Sequence, residues 1–183
     1  MSQQKITVVY ATKYGSTQRY AQWIAEELGA ELVSFEKADI NQLALCDTVI
    51  FGSCVYAGRI QGINFMKNNR DTLEHTRLLI FTVGLTQPGD EVAYQQVLDK
   101  NFTEEERKGL QFFHFPGALD YKKMNFMERH MMRILKGSIK KKPEEKRNQM
   151  EAYILETYGG KIDFTNRAYI EPLVKTARER ETV

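Results

Sequence analysis

Residues 6–17, Ile6-Thr7-Val8-Val9-Tyr10-Ala11-Thr12-Lys13-Tyr14-Gly15-Ser16-Thr17, decide how the chain is read. The opening five are apolar or β-branched on both faces, the pattern of a strand covered from two sides within a parallel sheet. Beyond the turn, Tyr20, Trp23, Ile24 and Leu28 recur at helical spacing, while Gln18, Arg19, Gln22 and Glu26 point the other way. The order is strand, hydroxyl-rich turn, helix. The turn then lies at a helix N-terminus, where unpaired N–H groups and the positive end of the dipole favour an anion. Thr12, Ser16 and Thr17 add donors beside Lys13 and Tyr14, and Gly15 permits close approach. A phosphate is the natural guest. The same residue types also serve as plain turn and cap chemistry, so other loops must support the reading.

Two phosphate loops are excluded by pattern. The chain has no G-x-x-x-x-G-K-[ST] and no G-x-G-x-x-G. What it has, T-x-x-G-S-T directly after the first strand, resembles the phosphate loop of flavodoxins. That resemblance implies FMN as cofactor and a five-stranded parallel sheet in the order 2-1-3-4-5, with the cofactor at the switch point.

The remaining sequence agrees with such an α/β chain. At 183 residues it fits one domain spanning 1–183, and 42% hydrophobic with 27% charged residues is a globular composition. The N-terminus lacks a basic stretch followed by an apolar run, and no segment approaches eighteen apolar residues, so a cytoplasmic protein is expected. Cys46 and Cys54 are expected as free thiols. After Gly29, residues 30–35 alternate apolar and polar as an edge strand. Residues 47–53 form a third, strongly apolar strand, followed by a turn at 53–59 and a weak helix carrying Ile63, Phe65 and Met66. Residues 78–84 form a fourth strand, ending in Leu85-Thr86-Gln87-Pro88-Gly89-Asp90. A helix over 91–99 buries Val92, Tyr94 or Ala93, and Val97-Leu98; Thr103-Glu104-Glu105-Glu106 is a capping pattern, and 110–115 is the fifth strand. Strands alternating with helices give a doubly wound, flavodoxin-like parallel sheet.

In such a sheet the loops after the first, third and fourth strands share one edge. An isoalloxazine ring needs an apolar or aromatic face and backbone groups at its heteroatoms. The second loop offers Ser53, Cys54, Val55, Tyr56, Ala57 and Gly58, with Tyr56 as the stacking candidate or, alternatively, a cap on the sheet edge. Cys54 reads more simply as a small buried residue than as a redox thiol. From the resemblance, Gly58 would let a peptide carbonyl turn toward the flavin. The third loop offers Gly84, Leu85, Thr86 and Gln87, and Asp90 reads as a helix cap. No acid, base or nucleophile stands out, and a bound flavin would supply the electron chemistry.

A segment of about 121–160 goes beyond a five-stranded core. Between Asp120 and Lys142 there are eight Lys/Arg and two Asp/Glu, a local +6 in a chain whose total is +2. Met124, Met127, Met131, Ile134 and Leu135 recur on one helical face; Arg129, Arg133, Lys136 and Lys140 recur on another. Such a helix can lie on a membrane, receive an acidic partner or polyanionic substrate, or pack its apolar face on its own domain. Arg129, Arg133 and Lys136 are the candidate partner-binding residues. Gly117-Ala118-Leu119-x-Tyr121 with Arg129-x-Met131-Met132-x-Ile134 resembles the menaquinone-dependent protoporphyrinogen dehydrogenase family over most of residues 5–140. That resemblance implies a porphyrinogen-like substrate, electron flow through FMN to a membrane quinone, and a basic helix suited to propionates and anionic lipid. The tail differs, with a further helical pattern over 143–158 and a last helix from about Asn166. A phosphorylated receiver domain would need an aspartate where Phe51-Gly52-Ser53 stands, and no nucleic-acid partner is expected because aromatics do not interleave the basic run. The reading is an FMN-binding redox protein with a redox partner or small substrate, or alternatively a dehydrogenase with its own substrate.

Overall fold

The computed structural model describes residues 4–86 and 89–179. Its centre is β1 (Ile6–Ala11), which leads through the hydroxyl-rich turn into α1 (Ser16–Leu28). β1 pairs in parallel with β2 (Glu31–Ser34) on one side and with β3 (Thr48–Tyr56) on the other. A short α2 (Ile40–Leu43) joins β2 to β3. β5 (Arg77–Gly84) and β6 (Gln111–Pro116) extend the sheet in parallel, giving the order β2-β1-β3-β5-β6. With β4 (Arg59–Ile60) set aside as a hairpin on β3, this is the predicted five-stranded doubly wound sheet.

Both faces are covered, which is why the inner strands are apolar at successive positions. Val8, Ile50, Leu79 and Phe81 point toward Tyr20 and Ile24 of α1 and toward Leu173 and Val174 of α8 (Glu171–Arg178). Val9, Val49, Phe51 and Ile80 point the other way, against Ile63 and Met66 of α3 (Ile63–Asn68) and Leu98 of α4 (Glu91–Asn101). Fully burying each such side chain stabilises the fold by roughly 1.5–3 kcal/mol. Tyr20 is fully buried and its hydroxyl stays satisfied, donating to Pro116 O at 2.9 Å and accepting from the Asn166 N–H at 3.2 Å. A capped α5 (Glu104–Arg107), with the predicted capping box on Thr103, precedes β6.

The added segment builds a third apolar cluster. β7 (Ala118–Asp120) pairs antiparallel with β8 (Lys161–Asp163), and α6 (Phe126–Lys141) and α7 (Gln149–Glu156) pack on that ribbon through Tyr121, Met132, Ile139, Ile154 and Ile162. The β7–β8 ribbon has no signal in the alternation pattern, because three-residue strands are too short to show a period.

Several local expectations are corrected. Residues 53–56 continue β3 instead of leaving it; Ala57 and Gly58, with φ of 50° and 76°, then form the tight turn to β4. Positive φ at both central positions is the twist-matched hairpin geometry. Val92 is 73% exposed, because α4 turns Leu98 and Asn101 inward instead. The last α-helix starts at Glu171, after a 3-10 turn over 167–170, with Pro172 in its first turn. In the 143–158 stretch the α-helix is confined to 149–156, after a 3-10 turn at 144–146. On α6 the buried positions are Glu128, Met132 and Ile139, while Met127, Met131, Ile134 and Leu135 are exposed. The apolar periodicity identified a real stripe, but the adjacent one faces the domain.

Candidate functional site: a cleft at the sheet's switch point

α1 begins at Gly15, whose φ of 89° lies in the left-handed region that glycine tolerates, and no side chain caps the helix. Thr12 Oγ1 instead accepts the Gly15 N–H at 3.0 Å, which folds the turn back on itself. Ser16 Oγ accepts the Ala118 N–H at 3.0 Å, tying this turn to β7 while leaving its own proton free to donate. Thr17 is 1% exposed and its hydroxyl has no hydrogen-bond partner. A buried orphan hydroxyl at an uncapped helix start costs stability unless something completes it, and an anion does so.

The turn forms one end of a cleft with about 760 Å³ of free space including its open mouth. Of the sequence candidates, Thr12, Lys13, Tyr14, Ser16, Thr17, Cys54, Val55, Tyr56, Ala57, Gly84 and Leu85 line it. Gly15, Ser53, Gly58 and Thr86 do not line it; Ser53 is fully buried and donates to Gln61 O at 2.6 Å. Gly58 O is held by the Asn101 side-chain amide at 2.8 Å. Gln87 lies outside the described residues. Both cysteines are free; Cys46 is buried, while Cys54, at the cleft, lies 3.2 Å from Gln61 Oε1 and burial pushes its thiol pKa up.

Three further groups belong to the cleft. Gly117, Ala118 and Leu119 bring β7 to its floor, and Met124, Glu128, Met131 and Met132 bring the added segment over it. The Glu128 side chain is only 5% exposed and forms an ion pair with Lys13, whose ammonium also lies 3.9 Å from the Tyr56 ring centroid. Burial opposes ionisation of Glu128, but the Lys13 ammonium, the nearby Tyr14 hydroxyl and the Asn125 N–H outweigh it and hold the carboxyl below its usual range. The same contact with Glu128 raises the Lys13 pKa, and burial, reinforced by Glu128, raises that of Tyr14. Asn125-x-x-Glu128 is a capping box, so the Glu128 carboxylate both caps α6 and reaches into the cleft. That box is legible in sequence; its second role is not.

The loops are braced from behind. Asn101 Nδ2 donates to Gly58 O and to Val97 O at 2.7 Å, and its Oδ1 accepts the Ile60 N–H at 2.9 Å, pinning the Tyr56 hairpin to α4. His114 Nε2 donates to Thr86 O at 3.2 Å, so Nδ1 accepts from the Thr82 hydroxyl at 2.8 Å; the ring is neutral, and burial pulls its pKa down to about 4. Asp90 accepts from the Ala93 N–H and caps α4, as predicted.

The residues fit FMN in kind. The uncapped helix start and the orphan Thr17 hydroxyl suit a phosphate, and Tyr56, Leu85, Leu119 and the methionines suit a flat apolar ring. A ring stacked on that face of Tyr56 would displace the Lys13 ammonium, which lies 3.9 Å from the centroid.

Among curated proteins no sequence match is found. Similar solved structures include a short-chain flavodoxin associated with a non-canonical PDU bacterial microcompartment, at 16% identity and TM-score 0.44, covering 62% of this chain and 81% of that one. Megasphaera elsdenii flavodoxin is similar at 16% identity and TM-score 0.43, over 60% and 82%. A WrbA-like protein from Agrobacterium tumefaciens is similar at 19% identity and TM-score 0.42, over 61% and 83%. A family model of the flavodoxin domain matches residues 7–147, well over half of the chain. The chain therefore belongs to the flavodoxin-domain family, and FMN is the cofactor that this membership indicates.

Proposed function

We propose that this protein is an FMN-binding redox protein that exchanges electrons with a partner reaching the cleft. The observation that carries the reading is the buried, unpartnered Thr17 hydroxyl at an uncapped helix start, facing a slot walled by Tyr56 and apolar side chains. When bound, FMN supplies the one- and two-electron chemistry. The chain's own residues do the rest. Thr12, Ser16, Thr17 and the first-turn amides hold the phosphate, Tyr56 and Leu85 flank the ring, and Asn101 and His114 keep the second and third loops in place.

A second reading is favoured by the roof that α6 places over the cleft. Met124, Met131 and Met132 add an apolar wall, and Glu128 adds a buried carboxylate, where a simple carrier needs an open ring edge. Such an enclosure suits a substrate oxidised by the protein itself, as in a dehydrogenase of the protoporphyrinogen and menaquinone type. One experiment separates the two. FMN-loaded protein is mixed anaerobically, in turn, with reduced redox proteins, with porphyrinogens and with quinols, and flavin absorbance is followed. Fast exchange with redox proteins alone supports the carrier. Turnover of a porphyrinogen with a quinone as final acceptor supports the dehydrogenase.

A further inference from the structure

α6 carries three parallel stripes, of which its own domain uses one. Glu128, Met132 and Ile139 face inward and are buried. On one flank Met127, Met131, Ile134 and Leu135, at i, i+4, i+7 and i+8, are 61%, 37%, 61% and 36% exposed. Phe126 at the helix start is 87% exposed. Five of the ten exposed large hydrophobic residues among those described thus lie on this one helix. On the other flank Arg129, Arg133, Lys136 and Lys140 recur at i, i+4, i+7 and i+11, and Arg129, Arg133 and Lys140 make no ion pair among the described residues. Lys136 lies over the Tyr158 ring at 3.7 Å.

We infer that α6 docks this protein on an anionic lipid surface. The occupant follows from charge. The only acidic residue of the helix, Glu128, points into the cleft, so its outer surface carries cations and apolar side chains and no carboxylate. A second copy meeting it helix to helix would bring like charges together. A neutral apolar partner would leave the basic flank unmatched. A bilayer rich in anionic headgroups matches both flanks at once, with phosphates along the basic stripe and acyl chains against Phe126, Met127 and Ile134. At about 24 Å the helix is long enough to lie in the interface and too short and too charged to cross it. Among the described residues no helix is long and apolar enough to span a membrane. Met131 belongs both to the exposed stripe and to the cleft wall, so docking turns the cleft mouth toward the lipid. The docking does not depend on what fills the cleft.

The test uses the full chain, with and without added FMN, and vesicles of phosphatidylcholine with or without phosphatidylglycerol. Sedimentation is expected only with the anionic vesicles, reversed by high salt, and weakened roughly tenfold or more by R129E/R133E and by M127S/I134S. A Phe126→Trp variant reports insertion by a blue shift of its emission on anionic vesicles. Circular dichroism shows that each variant is folded. Absence of vesicle binding by the wild type, binding that both double variants retain in full, or a dimer in solution abolished by M127S/I134S would each overturn the proposal. Binding that is the same with and without FMN separates it from the cofactor reading.

Discussion

Asn101→Ala strikes the cleft without touching it. Asn101 is 8% exposed, and its amide bridges α4 to the Tyr56 hairpin through Gly58 O at 2.8 Å and the Ile60 N–H at 2.9 Å. Truncation strands a buried N–H on Ile60, itself 4% exposed, and frees the carbonyl of a turn whose first residue, Ala57, already sits at a φ of 50°. An unsatisfied buried donor costs about 1–3 kcal/mol and the second lost bond about 1 kcal/mol, so urea unfolding is expected to show a loss of about 2–4 kcal/mol. With its anchor gone, the hairpin samples other positions and the bound flavin loses part of its ring contact. FMN affinity, read by quenching of flavin fluorescence, is expected to fall roughly tenfold, which corresponds to about 1.4 kcal/mol. A stability loss below about 1 kcal/mol with unchanged FMN affinity would refute the bracing role of Asn101.

Two further perturbations test the electrostatics. His114 is half-buried and neutral with a pKa pulled to about 4, below its ordinary value of 6.5, so the unfolded chain binds the extra proton first as pH falls. Stability is therefore expected to drop between pH 6.5 and 4 by up to about 3 kcal/mol, and His114→Gln should flatten that part of the pH profile of urea unfolding; an unchanged slope would contradict it. In the cleft, Lys13→Met leaves the 5%-exposed Glu128 carboxylate without its cation, whereas Glu128→Gln keeps an acceptor for the α6 cap and leaves only a half-exposed ammonium. Lys13→Met is expected to cost more, about 2–3 kcal/mol against about 1 kcal/mol, the first figure discounted for the exposure of Lys13. Thermal unfolding that gives the reverse order would count against the pair.

The central architecture was legible because it rests on strong local signals. Val8-Val9, Ile50-Phe51 and Leu79-Ile80 are apolar at consecutive positions only because helices cover both faces, and that reads directly as an inner parallel strand. Gly15, Ser16 and Thr17 announce a helix start, and Asp90 and Thr103 announce theirs. What stayed hidden depends on contacts far apart in sequence. Asn101 looks like a helix-end polar residue until the fold brings Gly58 to it. Glu128 looks like one half of a capping box until α6 folds back over Lys13. The inward face of α6 could not be chosen from periodicity, because a helix with an apolar stripe beside a mixed one satisfies the same spacing twice. The extension of β3 through Tyr56 was masked by Gly52 and Ser53, which read as a strand end; Gly52 is instead the gap filled by the Phe81 ring, whose Cζ would lie 2.0 Å from an added Cβ.

The most direct measurement is a titration of purified, flavin-free protein with FMN, beside the Thr17→Val variant. The variant keeps the side-chain shape and removes one hydroxyl. Wild-type protein is expected to take up one FMN per chain and turn yellow, and the variant to bind roughly tenfold or more weakly, the worth of one hydrogen bond to a charged group. Failure of the wild type to bind FMN, or equal affinity in the variant, would contradict the claim that this turn holds the phosphate.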